Sequence, residues 1–144
     1  MISLKDTAAA FLTYKNWPIF ATNDPHLICT QFQGHNGKWN TFIQCHPEQP
    51  IVIIYSLFPH PCPENKENDM LRLIATLNDG LMIGNFEYNF EFREVRFKTS
   101  MNATYMDEKL EIFDAPIYHN FLAMDQYFAR FKALIHPNPT PSQT

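Results

Sequence analysis

The sequence predicts an α+β fold, an antiparallel β-sheet with an N-terminal, a middle and a C-terminal helix packed on it. Three observations carry that expectation. Phe86, Tyr88, Phe90 and Phe92 alternate with Glu87, Asn89 and Glu91, the period of a half-buried strand, and Val95, Phe97, Thr99 and Met101 resume it after Arg93-Glu94. Gly34-His35-Asn36-Gly37 punctuates two further extended segments. Apolar residues recur at helical spacing in three separate stretches, and strands in runs between isolated helices argue for antiparallel pairing.

Leu4, Ala8, Phe11 and Leu12 place the first helix over 3–15. Ser3 followed by Asp6 resembles a capping box, and Pro18 ends the helix. Ile19 to Ala21 reads as a short extended piece before the turn Asn23-Asp24-Pro25. Leu27–Phe32 and Lys38–Cys45 form a hairpin, and pairing Gly34 with Gly37 sets Cys29 opposite Phe42. Residues 51–58, IVIIYSLF, have the pattern of a strand buried on both faces or lying centrally. Pro59, Pro61 and Pro63 stiffen the next connector.

The middle helix runs from about Glu64 to Asp79 on a stripe of Met70, Leu73, Ile74 and Leu77, with Gly80 as a left-handed stop. The strand pair over 82–101 closes with a two-residue turn at Arg93-Glu94. That register sets Phe90 opposite Phe97, Phe92 opposite Val95 and Glu91 opposite Arg96. Asp107 and Glu108 open a short helix ending at Phe113. Asp114 as N-cap and Pro116 in the first turn start the last helix, which reaches about Ile135. Its stripe is Phe121, Met124, Phe128, Phe131 and Ile135. Residues 1–136 read as a single domain and 137–144 as a flexible Pro-rich tail.

Composition removes whole function classes. Eleven Lys and Arg against 15 Asp and Glu leave a charge of −4 with no basic cluster, which excludes nucleic-acid binding driven by phosphate neutralisation. Four glycines exclude a Gly-rich phosphate cradle. With 45% hydrophobic residues the chain has apolar area enough to fold. Three cysteines without a C-x-x-C spacing suit reduced thiols and a cytoplasmic location. Asp6 falls where the apolar core of a signal peptide would build, and no apolar run is long enough to span a membrane.

Three constellations could carry chemistry. The hairpin register brings His26 near Cys45 and His46, and His35 near His60, but neither set has a recognised metal-ligand spacing, so no metal and no cofactor is expected. Cys62 with His60 two residues before it supplies a thiol and a base without an orienting group. Glu87 and Glu91 share a strand face with Asn85 and Asn89, beside Arg96 and Lys98, and read as a solvated face. Aromatic stripe exceeds what one small core obviously needs, and aromatics are enriched in interface cores. Phe86, Tyr88, Phe90, Phe121, Met124 and Phe128 are therefore the candidate interface residues.

Residues 73–101, LIATLNDGLMIGNFEYNFEFREVRFKTSM, carry a resemblance. Leu77-Asn78, Leu81 and Ile83-Gly84-Asn85-Phe86-Glu87 lead into the alternating hairpin with Val95-Arg96-Phe97-Lys98, and Met124-Asp125-Gln126-Tyr127 follow on the last helix. This pattern resembles the YbjN-domain family, bacterial proteins described as proposed sensory transduction regulators with a fold similar to type III secretion chaperones. The Arg93-Glu94 turn departs from the Gly-containing turn expected there. The resemblance implies helices on one face of an antiparallel sheet, a homodimer and an extended protein partner, and it carries over no catalytic residue. The resulting expectation is a non-enzymatic protein-binding module, chaperone-like or regulatory. The alternatives are a small-molecule-sensing domain with a pocket between the sheet and the C-terminal helix, and a hydrolase using Cys62 and His60.

Overall fold

Leu4–Tyr14 forms α1, capped as the Ser3–Asp6 spacing predicts: the Ser3 Oγ accepts the Asp6 N–H at 3.1 Å. In the computed structural model, whose described residues are 3–107 and 109–137, seven further elements follow. They are β1 (Leu27–Gln33), β2 (Lys38–Cys45), β3 (Ile51–Leu57), α2 (Glu67–Gly80), β4 (Asn85–Asn89), β5 (Glu94–Asn102) and α3 (Asp114–Ile135). The strands make one antiparallel sheet in the order β1-β2-β3-β5-β4. The first hairpin has the expected register, with Cys29 opposite Phe42. The piece at Ile19 to Ala21 supplies only one bridge, from Phe20 to Cys29. The expected Pro-rich tail lies, from residue 138 on, outside the described residues.

All three helices pack on one face. Phe32, Trp39, Ile43, Val52, Ile54 and Phe97 from the sheet form one buried cluster with Leu12, Met70, Ile74, Phe128 and Phe131 from the helices. Residues 51–58 owe their apolar run to a central position. Val52, Ile54 and Ser56 are buried under the helices, while Ile51, Ile53, Tyr55 and Leu57 are half-buried on the outer face. No helix among the described residues covers that outer face; Arg96 lies 4.5 Å from the Tyr55 ring there, and Glu87 meets Arg96 and Lys98, each at 3.0 Å.

Polar groups fix α3 on the sheet at three levels. The Thr99 hydroxyl donates to the Pro116 carbonyl at 2.8 Å. The fully buried Asn120 amide donates to the carbonyls of Ile54 and Phe97 and contacts the Thr99 hydroxyl. The Asp125 carboxylate accepts the backbone N–H groups of His35 at 3.1 Å and Asn36 at 2.8 Å, and the Asn36 side chain returns a bond to the Asp125 carbonyl. Gly34 and Gly37 serve this approach. A β-carbon at Gly34 would collide with the Asp125 carboxylate, and one at Gly37 with the Phe128 ring. The sequence marks these glycines as turn residues, whereas their role is to let a helix close on the turn.

The second hairpin corrects its predicted register by four residues. Phe86 pairs with Phe97, Tyr88 with Val95, and Glu87 with Arg96. A two-residue turn at Arg93-Glu94 would need a glycine at its first position or positive φ at both. Only Arg93 has it, at 52°, and Glu94 already belongs to β5. The chain instead makes a wider loop over 90–93, closed by the Asn89 side chain accepting the Phe92 N–H at 3.0 Å. An even shift preserves the faces, so Phe86 and Phe97 still point inward, stacked edge to face at 4.6 Å. Phe90 and Phe92, in contrast, leave the sheet.

Helix ends differ in four details. Gly80 is still helical and has no positive φ; the chain leaves through Leu81 in an extended conformation, and β4 starts at Asn85 rather than at 82. Glu64–Lys66 is a 3-10 turn preceding α2. Asp107 is not helical, Glu108 lies outside the described residues, and the short helix reduces to a 3-10 turn over Leu110–Phe113. That turn runs straight into α3, so Asp114 has helical backbone and makes no side-chain cap.

Asn78 protects the open edge of β4. Its side-chain amide accepts the Phe86 N–H at 2.7 Å and donates to the Phe86 carbonyl at 3.0 Å. One amide thus occupies both groups that a sixth strand would use there, and it ties the end of α2 to the sheet.

Asp125→Ala leaves the two turn N–H groups without their acceptor and lowers stability by about 2–3 kcal/mol. Gly34→Ala, which displaces the same carboxylate, is destabilising in the same direction. Urea unfolding reads both as a lower midpoint with an unchanged slope.

Candidate binding surfaces

Large apolar side chains are exposed in several places, among them Ile19 and Phe20 before β1 and Tyr105 and Met106 after β5. At the tip of the second hairpin Phe90 and Phe92 are 64% and 63% exposed. Phe92 borders an open groove of about 420 Å³ with Leu57, Phe58, Pro59, Pro61 and Glu94. The prolines hold the far wall, and the Cys62 N–H donates to the Arg93 carbonyl at 2.7 Å, locking wall to hairpin. Burial raises the Glu94 carboxyl pKa above its ordinary value, and Arg96 opposes the rise. A second patch combines Met82 and Ile83 from the loop before β4 with Leu122 on the outer side of α3.

The six candidate interface residues occupy different environments. Phe86, Met124 and Phe128 are buried in the core. Phe121 is half-buried against Trp39 and Phe32, and Tyr88 is half-buried with its hydroxyl donating to Glu67 at 2.7 Å. Phe90 is the exposed member, stacked edge to face on Tyr88 at 5.1 Å. The junction of the second hairpin with α3 is filled: Phe86 packs on Phe131 at 5.0 Å and on Tyr127 at 5.8 Å. The recess between sheet and C-terminal helix opens instead at the β1 edge, where Trp17 and Phe11 meet Phe32, Ile117 and Phe121.

The structure separates the groups that could have assembled into chemistry. Burial pushes the Cys45 thiol up to about 11, and Lys5 opposes this only in part. The His46 Nδ1 already accepts the N–H groups of Glu48 and Gln49 at 3.1 and 3.0 Å. A protonated thiol and an occupied ring nitrogen make a poor ligand set, and no group of three metal-ligating side chains forms among the described residues. Cys62 is buried, and burial raises its thiol pKa as well, with Tyr88, Glu67, Arg93 and Lys66 as the groups acting on it. His60 is not one of them; its ring meets Phe58 at 5.6 Å and His136 at 5.3 Å. Burial and the bond to Glu67 hold the Tyr88 hydroxyl protonated far above neutral pH. Glu91 lies in the exposed loop at the hairpin tip, apart from Glu87, so the two carboxylates form no pair.

Sequence reasoning missed Asn120 and Asp125. A signal existed: Asn120 interrupts the apolar stripe at three residues from Ile117 and four from Met124, and a polar group on a buried face must find partners.

No family model matches the chain, and no curated protein matches it. Solved structures show its fold. YbjN from E. coli, a proposed transcription regulator, superimposes with a TM-score of 0.68 at 8% identity, over 92% of this chain and 94% of that one. The structure of the ExsC–ExsE complex matches with a TM-score of 0.64 at 12% identity, over 92% of this chain and 93% of the other. The chain has the YbjN-like, chaperone-like fold that the pattern at 73–101 points to. No helix among the described residues is long and apolar enough to cross a membrane.

All three thiols have raised pKa values, so the folded state keeps protons that the unfolded state loses above its ordinary value of 9.0. Stability therefore falls as pH rises from about 9 towards 11. Cys45→Ala should show a smaller alkaline fall in urea midpoint than the parent chain. An equal fall in both would contradict the assignment.

Proposed function

We propose that this chain is a non-enzymatic, cytoplasmic protein-binding module, chaperone-like or regulatory, that works as a homodimer. The observation that carries the reading is the rigid apolar groove at the tip of the second hairpin, open in a chain with the fold of YbjN and of ExsC, the latter seen in complex with ExsE. An extended partner segment fits this groove, with an apolar side chain packed between Phe92 and Leu57, and Phe90 adds exposed apolar surface at the same hairpin tip. The second patch, Met82, Ile83 and Leu122, is the surface through which two copies meet. Separation of the thiols, histidines and carboxylates favours binding over catalysis.

A second reading, a regulatory domain that senses a small molecule, has one observation in its favour, the aromatic recess at the β1 edge.

Affinity capture from the native host with the intact chain should recover a specific protein, and Phe92→Asp with Phe90→Asp should abolish its retention while the melting temperature is kept. Unchanged retention by that double variant sinks the groove assignment. Light scattering at about 50 μM should give a dimer mass, reduced to a monomer mass by Leu122→Asp with Met82→Asp, since buried charge opposes association. A monomer mass for the parent chain removes the homodimer.

A further inference from the structure

The recess at the β1 edge has a volume of about 200 Å³. That exceeds the roughly 150 Å³ of a cavity that admits benzene. It is below the roughly 300 Å³ at which pockets for drug-sized ligands begin. The space suits one benzyl-sized or isobutyl-sized group. Its walls are already in place: Trp17 stands edge-on to Phe32 at 4.8 Å and to Phe11 at 6.0 Å, and Phe32 is edge-on to Phe121 at 5.6 Å. Ile117, in the first turn of α3, also lines the recess.

Opposite charges stand side by side at the mouth. The Lys15 ammonium and the Asp114 carboxylate are 3.8 Å apart, with side chains 40% and 55% exposed. A well-formed charge-assisted bond is about 2.7–2.9 Å long. The pair is therefore open, and both groups keep hydrogen-bonding capacity for a third party. Gln33 and Tyr118 also line the recess. An uncharged arene would use the walls and ignore the mouth. An α-amino acid carries a cation, an anion and a side chain on one carbon, and so matches all three features together.

We propose, on the small-molecule reading, that this recess binds a free α-amino acid with one bulky apolar side chain, of leucine to phenylalanine size. The side chain fills the aromatic walls, the α-carboxylate meets Lys15, and the α-ammonium meets Asp114. The site is separate from the hairpin groove, since the two share no lining residue.

The two tryptophans give the test its own control. Trp17 lines the recess, whereas Trp39 is buried with its indole N–H donating to Ser56 at 3.0 Å. Titration of the full chain with L-phenylalanine should shift the Trp17 indole N–H resonance saturably, with a Kd of about 1 mM or tighter, and leave that of Trp39 in place. Phenylacetate and phenethylamine each lack one charge and should bind about tenfold more weakly, as should L-phenylalanine to Lys15→Met or Asp114→Asn. Both substituted residues are exposed, and an unmoved Trp39 resonance certifies their fold. No Trp17 shift with any of the three compounds overturns the site and the small-molecule reading together. Phenylacetate binding as tightly as phenylalanine overturns the amino-acid assignment alone. Partner capture by Lys15→Met should equal that of the parent chain, so either failure leaves the protein-binding reading standing.

Discussion

The seating of α3 across β3 and β5 is the constraint on which the rest of the structure depends. Its stripe supplies Phe128 and Phe131 to the core, but an apolar stripe alone tolerates sliding and rotation. Asn120 removes that freedom. Its amide reaches the Ile54 and Phe97 carbonyls on neighbouring strands, and a displaced helix would leave these groups unpaired in a dry environment. Asp125 fixes the same helix one and a half turns further on, by holding the 34–37 turn. The helix therefore has one register on the sheet, and the aromatic packing against Trp39, Phe58 and Phe86 follows from it.

That seating also decides which apolar surface stays free. Because α3 buries Phe86, Met124 and Phe128, the surplus of aromatic residues is largely consumed inside the protein. Much of what is left over lies at the periphery, including the hairpin tip with Phe90 and Phe92, the Met82–Leu122 patch, and the recess where α3 begins. Each borders an element whose backbone is held by a specific bond, Asn89 at the tip, Asn78 beside β4, and Thr99 at Pro116. Exposed apolar groups on a fixed backbone lose little entropy on binding, which favours recognition over catalysis as their use. YbjN and the structure of the ExsC–ExsE complex share the fold that leaves these surfaces at the periphery.

Thiol chemistry shows the same logic from the other side. Cys62 and His60 are neighbours in sequence, yet a kinked, proline-rich connector turns the thiol inward towards Tyr88 and the imidazole towards His136. Burial then raises the thiol pKa, which favours its protonated form. In a regular strand residues two apart share a face, but the chain bends at Pro59-His60, so proximity along the sequence does not bring these two reactive groups together.

The sequence by itself determined the order of the three long helices and five main strands, the antiparallel sheet and the first hairpin's register, because periodicity and turn chemistry are local properties read within a few residues. It also determined the face of the second hairpin but not its register: a shift of four residues leaves every side chain on the same side, so alternation cannot detect it. Only the tertiary structure decided that Phe90 and Phe92 leave the core, that Gly34 and Gly37 make room for Asp125 and Phe128, and that Asn120 and Asp125 anchor α3. Those outcomes depend on groups brought together from 66 to 90 residues apart in the chain, as for Asn120 with Ile54 and Asp125 with His35. No local pattern encodes such meetings; they exist once the helix has settled on the sheet and the Asn120 amide N–H groups and the Asp125 carboxylate have met their partners.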